Sequence, residues 1–445
     1  MFNLPRISLP SFLQIRGGSY RSVDLPSVEI HDIETAAEKR PRSLKHLIKA
    51  NHANYSVIYH QLRFHNHTPH ILGSAYLLGA NAEQLNDIYE TEAEALEPWH
   101  DSPGEITIDD WREFLGKREY QRAFIDFFED QLVSRQYNLK ELLDTFLTGG
   151  EEPLINGLVA GLAHPLIHLG YAYELQSRSV AIEALTLGAC FYSSLHKYID
   201  DPKYTKPSSH CQSSGQSPTL VELLEKVRED QRFDGLYDHR SGDITKVFEE
   251  REEVFLEYWN AWEITAPNEQ FLDAQKTAVK LVVATTAPEE TSFDFFLVHV
   301  LTSSHAVRIL LPLVPARFHV NILRQWWLFT LAVYIAQTRP EFKDLEPQNM
   351  DPVKNSKDWK YVVHKALASE HSKDAHYVKA LRAMKVAEET WSSPDQTPDP
   401  LWLAAAIKFA DEFSSWGGFG TADDEERMGY VPASLAPTEP LIKYE

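Results

Sequence analysis

Cysteine is scarce in this chain of 445 residues, which contains only Cys190 and Cys211. Cys190 lies in an apolar run and Cys211 in a polar, serine-rich loop, so we expect no disulfide framework. This cysteine usage fits a reducing compartment, and we predict a cytoplasmic protein. Two cysteines so far apart also exclude a thiolate metal site and a Cys-X-X-Cys redox pair.

Long apolar runs and nucleotide-binding motifs are lacking as well. No stretch of about 20 residues stays apolar, which argues against a membrane-spanning helix. No GxGxxG follows a strand, and neither GxxxxGK[ST] nor GxSxG occurs. The sequence therefore offers no dinucleotide fingerprint, no phosphate-binding loop and no hydrolase nucleophile elbow.

Positive charge is in short supply, since 43 Lys and Arg oppose 65 Asp and Glu and leave a formal net charge of −22. This acidic excess would repel nucleic-acid phosphates and anionic membrane surfaces, so we expect neither as a partner. The N-terminal stretch before Asp24 has three arginines but also Pro5 and Pro10. These prolines would disrupt an amphipathic targeting helix, and the pattern predicts an irregular N-terminal arm.

Helical periodicity of apolar residues is abundant from about residue 43 onward, whereas strand-like alternation is scarce. With 43% hydrophobic residues the chain can bury a large core. No internal repeat or linker divides it, so we predict an irregular N-terminal arm (1–42), one all-α domain (43–416) and an irregular C-terminal tail (417–445). The strongest helical patterns cover 121–147, 156–175, 180–199, 244–264, 293–314, 324–337, 374–391 and 401–413, with long irregular loops at 201–218 and 338–359.

Histidines inside apolar helices are informative because a buried imidazole without a partner costs free energy. In AHPLIHLGY (163–171), His164 and His168 are four residues apart, so both lie on one helical face and can reach one metal ion. The pair lacks the intervening Glu of zinc peptidases, which excludes that class. Pro165 indicates that the helix begins or kinks there. Two structural histidines bonded to the backbone are the alternative interpretation.

A second pattern lies in DFFLVHVLTSSHAVRILL (294–311). His305, Thr302 and Asp294 share one helical stripe, which is typical of a metal ligand supported by a hydroxyl and a carboxylate. We therefore predict His305 as a ligand, and Thr302 and Asp294 as catalytic residues that move a proton. His299 points elsewhere on this helix, and we predict a structural role for it.

The segment DAHYVKAL (374–381) places His376 and Lys379 on one helical face. An ammonium group beside a metal-bound histidine is repelled, so Lys379 must lose its proton, turn away or combine with carbon dioxide. The resulting carbamate would supply the oxygen ligands that a carboxylate otherwise provides. An ordinary solvated lysine, as expected for Lys385, is the alternative.

Three histidines also stand at the front of an apolar helix in HNHTPHILGSAYLLGA (65–80). Pro69 suits the first turn, so His70 should be the first inward residue, while His65 and His67 can point into a pocket from the loop. A histidine-rich, carboxylate-poor site favours Fe(II), Cu or Zn over Mg or Ca. The predicted site combines His67 as a catalytic histidine with the metal ligands His70, His164, His168, His305, His376 and Lys379.

Four segments together resemble the questin oxidase-like family of fungal polyketide pathways: FHNHTPHILGSAYLLGA, GLAHPLIHLGYAYE, SSHAVRIL and DAHYVKALRA. The resemblance spans roughly residues 45–415 and depends on the order of the motifs. It implies an all-α oxidoreductase of secondary metabolism that opens a ring of an anthraquinone-type polyketide, such as questin, with dioxygen. The positions that match the family's motifs are His67, His70, His164, His168, His305, His376 and Lys379.

The cofactor stays open at this point. The resemblance implies either a non-haem Fe(II) dioxygenase that cleaves a ring C–C bond or an NADPH- or flavin-dependent Baeyer–Villiger monooxygenase. The number of histidines favours iron, whereas in the second class they would act as acid–base groups. A non-catalytic helical binding protein with satisfied core histidines is a further alternative, which would hold no stoichiometric metal.

Overall fold

The computed structural model describes residues 21–206, 218–285, 292–343, 357–393 and 397–420. Helices dominate these ranges, which confirms the predicted all-α class. They are α1 (Lys39–Asn54), α2 (Thr68–Leu78), α3 (Ala82–Ala93), α4 (Gln121–Ser134), α5 (Leu139–Phe146), α6 (His164–Leu175), α7 (Arg178–Cys190), α8 (Lys197–Asp200), α9 (Leu220–Glu229), α10 (Thr245–Glu250), α11 (Glu252–Ala261), α12 (Pro267–Val283), α13 (Phe295–Leu310), α14 (His319–Ala336), α15 (Trp359–Ala368), α16 (Ala375–Trp391) and α17 (Pro400–Glu412).

The strands of the described ranges are very short. β1 (Ile58–Tyr59) pairs antiparallel with β2 (Phe64–His65), and β3 (Ser292–Asp294) pairs parallel with β4 (Ser415–Gly417). Each pair holds a loop beside the N-terminus of a helix, since β2 leads into α2 and β3 leads directly into α13.

The core of the protein forms around α6, α7 and α13. α13 is buried over nearly its whole length and packs against α6, α12, α14 and α16. Gly170 permits the close approach of α6 to α13, because a Cβ atom there would lie 3.2 Å from the Cα of Ala306. A helix that is apolar all round is expected at such a central position.

The observed helix boundaries differ from those predicted by the apolar periodicity where residues adopt the left-handed backbone conformation. The expected helix over 121–147 is split between α4 and α5, because Gln136 and Tyr137 have φ values of 53° and 62°. The pattern over 156–175 becomes α-helical only at His164, after Leu162 and Ala163 adopt φ values of 55° and 59°. Pro165 occupies the first turn of α6, which confirms that the helix begins there.

The N-terminal arm is irregular in its described part, and α1 begins at Lys39, slightly before the expected boundary. The backbone N–H groups of His31 and Ile33 donate to the carbonyls of Glu174 and Leu175, at 2.8 and 3.2 Å, so the arm packs against the end of α6. Cys190 is buried and unpaired, whereas Cys211, the first 20 residues, most of the predicted tail and parts of both predicted long loops lie outside the described residues. Within the described ranges, no helix combines the length and apolarity needed to cross a membrane.

Candidate metal centre

Four helices bring four histidines together. His67 immediately precedes α2, His164 is the first residue of α6, His376 is the second residue of α16, and His299 lies in the second turn of α13. One ring nitrogen from each lies within 4.8 Å of the other three, and the group is almost wholly buried. We call these four residues the histidine tetrad.

Backbone carbonyls fix the orientation of two tetrad rings. The Nδ1–H of His164 donates to the carbonyl of Gly161 at 2.9 Å, and that of His299 donates to the carbonyl of Phe295 at 2.7 Å. A neutral imidazole that donates from Nδ1 carries its lone pair on Nε2. Each of these rings therefore presents an unprotonated nitrogen to the centre of the tetrad.

The inward nitrogens approach one another closely. His67 Nε2 lies 2.9 Å from His164 Nε2, and His376 Nε2 lies 3.2 Å from His299 Nε2. Burial, reinforced by the neighbouring histidines and by the charge of Lys379, holds the pKa of every tetrad histidine well below its usual value. At these distances the inward nitrogens of His67 and His376 either donate a proton to the lone pairs of His164 and His299 or bind a metal ion together with them. The donor set therefore fits a transition-metal ion.

The helix ends add a positive field to this centre. α2, α6 and α16 all begin at the tetrad, and a helix N-terminus carries a partial positive charge. Asp374 caps α16 by accepting hydrogen bonds from the backbone N–H groups of His376 and Tyr377, at 2.8 and 3.0 Å. Its carboxylate also accepts from the indole of Trp416 at 2.7 Å. A site built from neutral imidazoles and helix N-termini favours additional negative charge.

Lys379 lies one turn beyond His376 and is 1% exposed. Its Nζ has no hydrogen-bond partner within the described part of the chain. Burial lowers the pKa of Lys379 to about 7, although the carboxylates of Asp374 and Glu92 oppose this shift. Burial also raises the pKa of Glu92 to about 7, with Asp374 adding to the effect. The amine is thus deprotonated in a sizeable fraction of molecules near neutral pH.

His70 and His168 lie outside the tetrad, contrary to the predicted ligand set. His70 Nε2 contacts His168 Nδ1 at 2.9 Å, and His168 Nε2 donates to the Glu183 carboxylate at 2.8 Å. Both ring nitrogens of His168 are therefore engaged by the protein. Spacing placed His164 and His168 on one face correctly, but α6 begins at His164, so only the first of the two reaches the meeting point of the helix ends.

His305 also lies outside the tetrad, and α13 contributes His299 to the tetrad instead of the predicted His305. His305 is six residues beyond His299, which corresponds to about 9 Å along α13. Burial and the positive charges of Arg382 and Arg308 lower the pKa of His305. We predicted a structural role for His299, but the structure places it in the candidate metal centre, because α13 is buried on every side and each face meets a different helix.

The two predicted proton-moving residues make local contacts. Asp294 caps α13 by accepting from the backbone N–H groups of Phe296 and Leu297, at 2.9 and 2.8 Å. The hydroxyl of Thr302 donates to the carbonyl of His299 at 3.4 Å. Thr302 thus contacts the backbone of a tetrad member, whereas Asp294 stands at the helix end that faces the tetrad.

Aromatic rings line one side of the tetrad. The ring of Phe295 lies 4.6 Å from that of His376, and the ring of Trp416 lies 5.9 Å from it. Phe419 packs against Phe295 at 5.1 Å. We call Phe295, Trp416 and Phe419 the aromatic wall. On another side, His65 stacks on His164 with 3.7 Å between ring centroids.

Comparison with known proteins adds a family to this geometry. A family model described as questin oxidase-like matches residues 64–384, which include the whole tetrad and Lys379. The chain belongs to the questin oxidase-like family. Its membership confirms the resemblance found in the sequence motifs.

Curated relatives match the chain over most of its length. A Baeyer-Villiger oxidase of Pestalotiopsis microspora is 24% identical over 369 residues, which are 77% of this chain and 80% of the relative. A questin oxidase of Aspergillus terreus is 24% identical over 381 residues, or 77% and 79% of the two chains. The oxidoreductase AflY of Aspergillus parasiticus is 24% identical over 371 residues, or 77% and 72%.

Proposed function

We propose that this protein is a non-haem iron oxygenase that uses dioxygen to cleave a ring C–C bond of an anthraquinone-type aromatic polyketide. The observation that carries the proposal is the histidine tetrad, in which one ring nitrogen from each of four histidines converges on one point and His164 and His299 direct lone pairs to it. Nitrogen donors without thiolates suit Fe(II), Cu or Zn. The oxidase names of the relatives favour a redox-active ion over Zn, and we propose Fe(II).

The tetrad would hold the ion, and the protein supplies its orientation. The carbonyls of Gly161 and Phe295 keep His164 and His299 in the tautomer that binds metal through Nε2. When bound, Fe(II) supplies the one-electron activation of dioxygen that closed-shell aromatic substrates otherwise lack. The buried position of the tetrad excludes bulk water from this chemistry.

Lys379 is proposed as the fifth ligand, in the form of a carbamate. The neutral amine nitrogen attacks the carbon of carbon dioxide, an N–C bond forms and one proton leaves the nitrogen. The product carries a negative charge and two oxygen donors. It therefore provides the anionic ligand that four neutral imidazoles lack, and it compensates the positive ends of α2, α6 and α16.

The substrate is proposed to be a planar polyketide quinone, with dioxygen as co-substrate. Support comes from the names of the relatives and from the aromatic wall, whose flat apolar faces suit a fused-ring ligand. In the dioxygenase reaction both oxygen atoms enter the product and no external reductant is consumed. Thr302, which contacts the backbone of His299, and Asp294 remain the proposed residues for proton movement.

A second candidate is an NADPH- or flavin-dependent Baeyer–Villiger monooxygenase, because relatives are named Baeyer-Villiger oxidase or Baeyer-Villiger monooxygenase. In that reaction one oxygen atom enters the substrate and the other leaves as water, at the expense of NADPH. The two candidates therefore differ in stoichiometry as well as in cofactor.

The test combines elemental analysis with turnover of an anthraquinone such as questin under ¹⁸O₂, with and without NADPH. We expect about one iron per chain, two labelled oxygen atoms in the product and no need for NADPH. Turnover by metal-free protein, or one labelled atom with stoichiometric NADPH oxidation, would support the monooxygenase instead. His196→Ala is a suitable control, because His196 pairs with Asp200 outside the tetrad.

A further inference from the structure

A continuous line of hydrogen bonds connects the surface of the protein with the edge of the tetrad. Glu129 accepts from His52 Nε2 at 3.1 Å, and His52 Nδ1 donates to Glu183 at 2.7 Å. The other oxygen of Glu183 accepts from His168 at 2.8 Å, and His168 contacts His70 at 2.9 Å. We call these five residues the relay.

The two ends of the relay lie in different environments. The Glu129 side chain on α4 is 46% exposed, whereas the side chains of His168 and Glu183 are 1% exposed. At the inner end, the ring of His70 lies 5.5 Å from that of His67 and 6.2 Å from that of His164. The hydrogen bonds of the relay therefore lead from solvent to His70, whose ring lies beside the tetrad.

Proton positions along the relay follow from its donors and acceptors. Burial opposes the pKa shifts of both Glu183 and His52. Hydrogen bonds from His168 and His52 nevertheless lower the pKa of Glu183 to about 2. Hydrogen bonds to Glu129 and Glu183 raise the pKa of His52 to about 9. Anionic Glu183 accepts from His168 Nε2, and in the tautomer of His168 that carries its proton on Nε2 the Nδ1 atom accepts from His70 Nε2. His70 Nδ1 is thereby left as an unprotonated nitrogen, and it has no partner among the described residues.

The burial of Glu183 is costly for a purely structural residue. A carboxylate within a helix that is buried over nearly its whole length pays a large desolvation penalty, and an apolar side chain of similar size would serve packing as well or better. A buried carboxylate that accepts from an imidazole fixes the tautomer of that imidazole, as in hydrolytic triads, and His168 in turn contacts His70. Proton transfer by the imidazoles would explain why Glu183 lies between α1, α4 and α6.

We propose that the relay carries a proton between the tetrad and solvent, with His70 Nδ1 as its inner end. When His70 Nδ1 takes a proton from the reacting substrate, its Nε2 proton passes to His168 Nδ1, and the His168 Nε2 proton passes to Glu183. His52 then releases its Nε2 proton to Glu129 and water, so one proton leaves for each proton taken up. The transfer reverses when the product is protonated. This proposal rests on the proposed function only in requiring a proton-transferring reaction at the tetrad.

The first test uses two substitutions and a matched control. Glu183→Gln keeps the shape of the side chain but removes its charge, and we expect iron to be retained while kcat falls about 100-fold. Glu129→Gln should lower kcat about 10-fold, and small proton carriers such as imidazole or formate should restore much of it. Asp126→Asn, an exposed position one turn away on α4, should leave kcat unchanged. Both relay variants should also alter the solvent deuterium isotope effect on kcat.

Two results would overturn the relay. The first is wild-type kcat with an unaltered isotope effect in an iron-loaded Glu183→Gln variant. The second result comes from Glu129→Gln: either its kcat equals that of the wild type, or its kcat is lower and small proton carriers do not restore it. This second result also decides the question if the Glu183→Gln variant does not fold.

An activity-independent measurement separates the relay from the proposed function. In ¹⁵N-histidine NMR spectra of the metal-free protein near pH 7, His52 should be doubly protonated and His168 should carry its proton on Nε2. A neutral His52, or a His168 protonated on Nδ1, would refute the relay whether or not the protein is an oxygenase. The expected spectra from a protein without oxygenase turnover would instead count against the proposed reaction alone.

Discussion

Buried histidines occur in two regions of this protein that look alike in sequence and differ in what surrounds them. The tetrad and His305 both lie within or at the start of helices, and burial lowers the pKa of the histidines in both regions. In the tetrad, backbone carbonyls accept from the outer nitrogens of His164 and His299, and the inner nitrogens of all four rings face one another. His305 instead lies beside two guanidinium groups, and neither of its nitrogens has a partner among the described residues. Burial alone therefore does not single out candidate metal ligands, whereas the convergence of ring nitrogens does.

The surroundings of His305 serve the fold. Arg382 forms a buried ion pair with Glu174, which joins α16 to α6. Arg308 donates from Nε to the hydroxyl of Thr390 at 2.7 Å and from Nη2 to the carbonyl of Pro26 at 2.9 Å. We call His305, Arg308, Arg382 and Glu174 the arginine cluster. It joins the N-terminal arm, α6, α13 and α16, so substitutions there should affect stability rather than metal binding.

The largest expected effect is the loss of metal from the tetrad. His164→Ala and His376→Ala should each lose most of the bound iron and nearly all turnover, because each removes a ring nitrogen that faces the centre of the tetrad. Circular dichroism should show that the helices remain. Elemental analysis of the purified variants measures the effect. Iron at the wild-type level in both variants would show that the tetrad is structural.

The arginine cluster should give the opposite result. Arg382→Met leaves Glu174 buried without its partner, and the free energy of unfolding should fall by about 3–5 kcal/mol. Iron per folded chain should not change. Lys385→Met is the matched control on α16, because the surface pair of Lys385 with Glu389 contributes at most about 1 kcal/mol. Equal denaturation midpoints for the two variants would contradict the structural role of the cluster.

Lys379 should give a pH dependence of stability that an ordinary lysine would not. The pKa of Lys379 is about 7 in the folded protein, which is below the usual lysine pKa. At pH values between these two pKa values, the unfolded chain therefore binds more protons than the folded one. In metal-free protein without carbon dioxide, wild-type stability should therefore rise relative to Lys379→Met as the pH increases from 7 to 10. The expected slope is about 1.4 kcal/mol per pH unit at most.

Denaturant unfolding at several pH values measures this slope, with Lys385→Met as the control that should show none. A difference between wild type and Lys379→Met that stays constant from pH 7 to pH 10 would show that the amine remains protonated in the fold. In a separate experiment, a crystal structure of metal-loaded wild-type protein with bicarbonate present should show carbamate oxygens on Lys379.

Much of this architecture could be predicted from the sequence, and the failures have physical causes. Periodicity gave the all-α class, and Pro165 gave the start of α6, because both depend on neighbouring residues. His299 was missed, because a helix buried on every side carries no periodicity that distinguishes the face toward the site. His52 and Glu183 were missed because they meet across 131 residues of chain. Glu183, as an acidic residue within the apolar stretch 180–190, was the one feature of the sequence that indicated the relay.

The smallest expected effect belongs to His305. His305→Leu removes two buried nitrogens that have no partner in the described structure and keeps a side chain of similar volume. Iron content and turnover should stay at the wild-type level, and the free energy of unfolding should change by no more than about 1 kcal/mol, with a gain as the favoured sign. His299→Leu, on the same helix and equally buried, should lose its iron because it removes an inward lone pair. Loss of iron from His305→Leu would return His305 to the ligand set and break the distinction between the two regions, whereas retention shows that the direction of the nitrogens decides which buried histidines bind metal.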